Sequence, residues 1–95
     1  MDVACLYHGV DIDGYLSAAI VKNYVGDDIE MIPMSHGQKT PDLTDYSTIY
    51  IVDFCLSREE MLQLNSTKNL IWIDHHTSSL ELMQGEEIKG FQNTK

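Results

Sequence analysis

Three short apolar runs in this 95-residue chain each end on side chains that bind metal ions. Val3, Ala4, Cys5, Leu6 and Tyr7 lead to His8, with Asp11 and Asp13 just behind it. Ile49, Tyr50, Ile51 and Val52 lead to Asp53, and Leu70, Ile71, Trp72 and Ile73 lead to Asp74, His75 and His76. Runs of this length, rich in β-branched and aromatic residues, read as buried strands. In an open α/β sheet, sites form just beyond the carboxyl ends of the strands, so three such ends would bring their carboxylates and imidazoles to one place. Oxygen and imidazole donors without a thiolate favour manganese or magnesium over structural zinc. A pair of such ions activates water and neutralises charge on phosphate esters.

Each group also has a plainer reading. Asp13 can be the N-cap of the helix that follows, Asp11 can close an Asx-turn, and His8 can be a hydrogen-bonded core imidazole. Asp53 can simply begin a turn, although a third strand lying beside the first or the fourth would place it to bridge two ions ~3.5–4 Å apart. Adjacent histidines at a strand end point in different directions. One of His75 and His76 can then bind metal while the other faces a substrate, and Asp74 can accept from an imidazole N–H and fix its tautomer. Cys55 follows Asp53 by two residues but has no C-x-x-C partner, and it and Cys5 read as reduced, buried thiols. His36 reads as a loop residue. Arg58 and Lys39 are the bases near carboxyl-end loops that could meet a phosphate, Arg58 being equally suited to the exposed first turn of a helix.

The elements that must position these groups follow from periodicity. Residues 3–8, 29–34, 48–53 and 70–74 read as strands, with 88–92 as a fifth short one. Residues 14–25 read as a helix whose apolar face is Leu16, Ala19, Ile20 and Tyr24, at i, i+3, i+4 and i+8. Gly9 and Gly14 bound a tight loop before it, and Gly26 stops it. Ser57 opens a second helix, with Glu60 three residues later completing a capping box. A short third helix spans residues 79–83, and residues 35–47 read as a polar loop. This alternation predicts a single domain, residues 1–95, of α/β class with a mostly parallel sheet of four or five strands and flanking helices.

Fifteen acids against six bases give a net charge of −9, which excludes the basic face that long duplex nucleic acid requires. Four of those acids (Asp11, Asp13, Asp53, Asp74) fall at the expected site, where like-charge repulsion is costly. Either divalent ions sit among them or the carboxylates lie apart. No stretch approaches the ~20 apolar residues of a membrane span, and the first residues lack the basic start of a secretory leader. A cytoplasmic protein without a membrane partner is the expectation.

HGVDIDGYLSAA, then IVDF, then IDHH, in this order and at this spacing, resemble three motifs of the DHH phosphoesterase superfamily. That superfamily includes RecJ-type exonucleases, oligoribonucleases, cyclic-dinucleotide phosphodiesterases and manganese-dependent inorganic pyrophosphatases. The resemblance covers residues 3–76. It implies a hydrolase that cleaves phosphate or phosphodiester bonds in nucleotides or short oligonucleotides, using two Mn2+ ions or Mg2+ in their place. It further implies that His8 and Asp11 bind one ion, Asp13 and His75 bind the second, and Asp53 bridges both. His76 would contact the scissile phosphate and Asp74 would orient the histidines. The superfamily also carries a further Asp ligand after the histidines and a second, substrate-holding domain, and Glu86 and Glu87 follow the histidines too closely to supply the former. The expectation is therefore the N-terminal part of a DHH-type domain, with self-association to cover exposed sheet or complete the site. The alternative is a non-catalytic protein that holds metal or a phosphorylated ligand, or an oligomeric sequestering protein.

Overall fold

In the computed structural model the apolar runs and the segments between them form β1 (Val3–His8), α1 (Ile12–Val25), β2 (Glu30–Met34), β3 (Thr48–Val52), α2 (Arg58–Thr67), β4 (Asn69–Asp74), α3 (Thr77–Leu82) and β5 (Lys89–Gln92). The structure describes residues 2–9, 12–26, 28–35, 38–74 and 76–92, and the side chains of residues 12–15, 77, 91 and 92 fall outside that description. All the strands pair in parallel, in the order β2-β1-β3-β4-β5. The α/β class with a parallel sheet and flanking helices is the one the sequence predicts. β3 lies between β1 and β4, so it neighbours both of the strands it was expected to approach.

The layering follows from crossover handedness. β1 to β2 steps one way across the sheet, and β3 to β4 to β5 steps the other. Right-handed connections then put α1 on one face and α2 and α3 on the opposite one. The apolar clusters agree. Leu6, Ile49, Ile51, Leu70 and Trp72 pack with Met61 of α2, Met83 and Leu43, whereas Cys5, Val52 and Ile29 pack with Val21 of α1. Successive residues of β3 alternate between these two cores, as a strand covered on both faces must.

α2 starts where its capping box predicts. The Ser57 hydroxyl accepts from the Glu60 N–H at 3.2 Å, and the Glu60 carboxylate accepts from the Ser57 N–H at 3.4 Å. The Thr40 hydroxyl, and more weakly Ser57, hold the Glu60 carboxyl below its ordinary value against the opposing effect of burial.

Several boundaries differ from expectation. α1 begins at Ile12, so Asp13 and Gly14 are helical rather than a cap and a turn. The first turn is a favourable place for an acid because the helix dipole is positive there. Asp53 leaves β3 with φ 63°, so the strand stops at Val52. α3 begins at Thr77, two residues before the expected start.

The largest correction concerns the apolar face of α1. Ala18 and Val21 face the sheet, while Leu16 is 57%, Ile20 70% and Tyr24 85% exposed. α1 is apolar nearly all round, so periodicity offers two stripes, and the sheet took the one with smaller side chains, which lets helix and strands approach closely.

Burial pushes the Cys5 thiol up to about 12, and burial together with the charge of Asp74 pushes the Cys55 thiol up to about 12. A raised thiol pKa means the fold stabilises the protonated form. That stability is complete below about pH 9, the ordinary thiol value, and is lost as pH rises toward 12. Urea unfolding should therefore show lower stability at pH 10 than at pH 8, by about 1 kcal/mol from Cys5 alone. Both thiols should resist Ellman's reagent at pH 8 until the chain unfolds.

Candidate metal centre

The parallel register assembles the site. Tyr7 pairs with Val52, and Val52 pairs with Ile73. The next residue on each strand is therefore His8, Asp53 and Asp74, one row across three neighbouring strands spaced ~4.8 Å apart. All three are buried. The Asp53 N–H donates to the Ile73 carbonyl at 2.8 Å, carrying the ladder one step past β3 before the left-handed φ turns the chain away. Aspartate is among the few non-glycine residues that adopt this region readily. The turn is pinned from beneath, because the Trp72 indole N–H donates to the Phe54 carbonyl at 3.0 Å.

Asp74 organises the third motif. Its Oδ1 accepts from the His76 backbone N–H at 3.1 Å and lies 2.7 Å from His76 Nδ1. A carboxylate can only accept, so Nδ1 carries the proton and the ring is held in one orientation. The opposite ring atom, Nε2, then lies 4.0 Å from Asp53 Oδ1. Two carboxylates at the floor are 2% exposed, and one half-exposed imidazole stands at the rim. Bringing two such charges together in a low-dielectric setting is expensive unless a cation or an imidazolium compensates.

One donor atom from each of Asp53, Asp74 and His76 lies within 4.8 Å of the other two. Around an ion with metal–oxygen bonds of ~2.1 Å, neighbouring ligand atoms are about 3 Å apart and opposite ones about 4.2 Å. The three donors lie close enough together for small side-chain adjustments to close them on one ion, so these residues can hold a metal ion. The pairing of Asp74 with Nδ1, with Nε2 on the side of Asp53, is the usual way a carboxylate presents a histidine to a metal.

Of the residues the sequence nominates, Asp53, Asp74 and His76 meet. His8 stands in the same row but outside that set of three, lining a cavity of about 200 Å³ with Ser35, Gln38, Thr40, Cys55 and Ser57. Asp11, His75 and His36 lie outside the described residues, and Asp13 is described only as backbone in the first turn of α1. Among the described residues, His76, which the resemblance assigns to a phosphate, is the histidine found with the donors.

Arg58 does not face the centre. It donates to the Leu82 carbonyl at 2.8 Å and pairs with Glu86 at 2.5 Å, tying α2 to the end of α3. A basic residue here satisfies a carbonyl that a helix end leaves unpaired. The sequence reading missed the part Trp72 plays, although an indole N–H in a buried strand needs an acceptor, and that was the available signal.

Compared with protein-family models, curated proteins and solved structures, the chain finds no match. Fold and site together define a parallel α/β protein whose carboxyl edge carries a carboxylate–imidazole cluster able to hold a metal ion. Among the described residues, no helix is long and apolar enough to cross a membrane.

Proposed function

We propose that this chain is a metal-dependent phosphoesterase of the DHH type, acting on phosphate or phosphodiester bonds of nucleotides or short oligonucleotides. The observation that supports this most is the meeting of Asp53, Asp74 and His76 at the carboxyl edge, with His8 in the same row. Hard carboxylate oxygens with imidazole suit Mn2+, with Mg2+ as the alternative. Asp53, Asp74 and His76 would hold the ion, and His8, Asp11, Asp13 and His75 are the candidates for a second. When bound, the metal would acidify a water and offset charge on the phosphate oxygens. Asp74 fixes the His76 ring, and the exposed side of that ring faces whatever enters. The buried carboxylates repel an anionic substrate unless a cation lies between them.

A second reading, metal binding without turnover, draws on Arg58. That side chain is engaged by Glu86 and Leu82 and so does not reach a phosphate at the centre.

Asp74→Asn should keep the fold but weaken Mn2+ binding by roughly 10- to 100-fold, measured by calorimetry, and Mn2+-dependent hydrolysis of a dinucleotide should fall with it. Equal affinity in parent and variant would remove the site. Tight Mn2+ binding with no hydrolysis of mono-, di- or cyclic dinucleotides would select the second reading.

A further inference from the structure

β1 connects to β2 on one side of the sheet, and β3 connects to β4 on the other. The connections therefore diverge between β1 and β3, and such a switch point opens a crevice at the carboxyl edge, the usual ligand position in an open α/β sheet. The cavity of about 200 Å³ lies there: His8 ends β1, Met34 ends β2, and Phe54 and Cys55 follow Asp53 out of β3. The carboxylate–imidazole cluster is built one strand over, from the ends of β3 and β4. Neighbouring strands are ~4.8 Å apart, so cavity and centre share the wall made by the end of β3.

The lining is set for a neutral ligand. Glu60 lines the cavity, and neither lysine nor arginine joins it among the described lining residues, so a phosphate gains nothing by entering. Ser57 fixes the Glu60 carboxylate, donating to Oε1 from its N–H at 3.4 Å and its hydroxyl at 3.1 Å. A carboxylate has about four acceptor positions, so Glu60 keeps capacity for a ligand N–H beyond Ser57 and the Thr40 hydroxyl. Gln38 is fixed in a similar way. Its amide oxygen accepts from the Ser35 N–H at 3.1 Å and from the Ser35 hydroxyl at 3.3 Å, so what it offers a ligand is its NH2 group. Phe54 and Leu56 add apolar wall. The volume is below the ~300 Å³ at which pockets for whole drug-sized molecules begin, so one ring system fits and a dinucleotide does not. A nucleobase is such a ring system, with donors and acceptors side by side on its edge and apolar faces.

We infer that this cavity seats the base of a nucleotide whose phosphate lies at the neighbouring metal centre, with Glu60 accepting from the base and Gln38 donating to it. The inference deepens the phosphoesterase reading and rests on it for the phosphate, whereas the contacts to the base need no metal.

Titration of the full chain in EDTA with adenosine, guanosine, cytidine, uridine and free ribose, followed by backbone amide shifts in NMR, tests the cavity apart from any metal chemistry. The expected result is weak, saturable binding of at least one nucleoside that moves the Gln38, Ser57 and Glu60 amides, with ribose without effect. Glu60→Gln should weaken that binding by about tenfold, and glutamine still completes the capping box, so α2 is kept. Gln38→Ala, at an exposed loop position, should do the same and serves if the first variant folds poorly. Calorimetry with Mn2+ alone should give the same affinity in both variants and the parent. Absence of nucleoside binding would overturn the inference, as would binding indifferent to both substitutions. Ribose binding as tightly as the nucleosides would give the cavity to the sugar and overturn the assignment to a base. Failure of the phosphoesterase reading looks different: nucleosides would still bind and respond to the substitutions, so the base pocket would stand, while Mn2+ would neither bind nor promote hydrolysis.

Discussion

Asp53→Asn should melt at a higher temperature than the parent protein in the absence of metal, and should lose the stabilisation that Mn2+ gives the parent. The Asp53 carboxylate is 2% exposed and sits beside a second buried carboxylate, Asp74. Removing one of two like charges from a desolvated site relieves both repulsion and burial cost. Asparagine has nearly the same shape and tolerates the left-handed φ of 63°, so the backbone turn survives the change. A gain of about 1–3 kcal/mol follows, several degrees in melting temperature for a domain of this size. In the parent, Mn2+ at a hundredfold excess over its dissociation constant should add about 2.7 kcal/mol. Differential scanning fluorimetry with and without Mn2+ reads both effects. A variant that melts lower than the parent in EDTA and responds equally to Mn2+ would show that Asp53 serves the turn alone.

Gly90→Ala should be among the most damaging single substitutions at an exposed position. Gly90 in β5 has φ 126°, a conformation L side chains rarely adopt. A Cβ built there would lie 2.1 Å from the Trp72 carbonyl oxygen and 2.7 Å from its carbonyl carbon. Those are backbone atoms of a central strand and cannot give way. The conformational and steric costs together reach at least about 3 kcal/mol, and β5 should detach from β4. Gly85 makes the control: its φ is 92° but a Cβ there meets nothing within 4 Å. Gly85→Ala should therefore cost about 1 kcal/mol. Urea unfolding of both variants, with hydrogen exchange at the β4 amides, separates lost pairing from mere backbone strain.

Much of this architecture is legible from local pattern. β1, β3 and β4 are dense in β-branched and aromatic residues, and each runs up to a polar side chain, so their presence and approximate limits can be read directly. The Ser57 and Glu60 pair marks the start of α2 because a capping box is a local, reciprocal contact. α1 is where pattern fails. With Leu16, Ile20 and Tyr24 on one side and Ala18 and Val21 on the other, spacing alone cannot say which stripe meets the sheet. Close approach to the strands decided it. The centre divides in the same way. The spacing of Asp74 and His76 is local and foreseeable, but the pairing of Nδ1 with Asp74 depends on backbone direction after β4. Asp53 joins them only because β3 lies beside β4 in register. Its left-handed turn depends on the surrounding sheet and leaves no mark in the sequence.

Trp72 is the only tryptophan in the chain. It is 2% exposed, and its indole nitrogen is bonded to the carbonyl of the residue that follows Asp53. The molecule thus carries its own optical gauge, a single indole tethered one residue from a candidate ligand. Its emission wavelength and intensity would follow the Asp53 turn without an added label, and would distinguish a change at the centre from loosening of the outer helices.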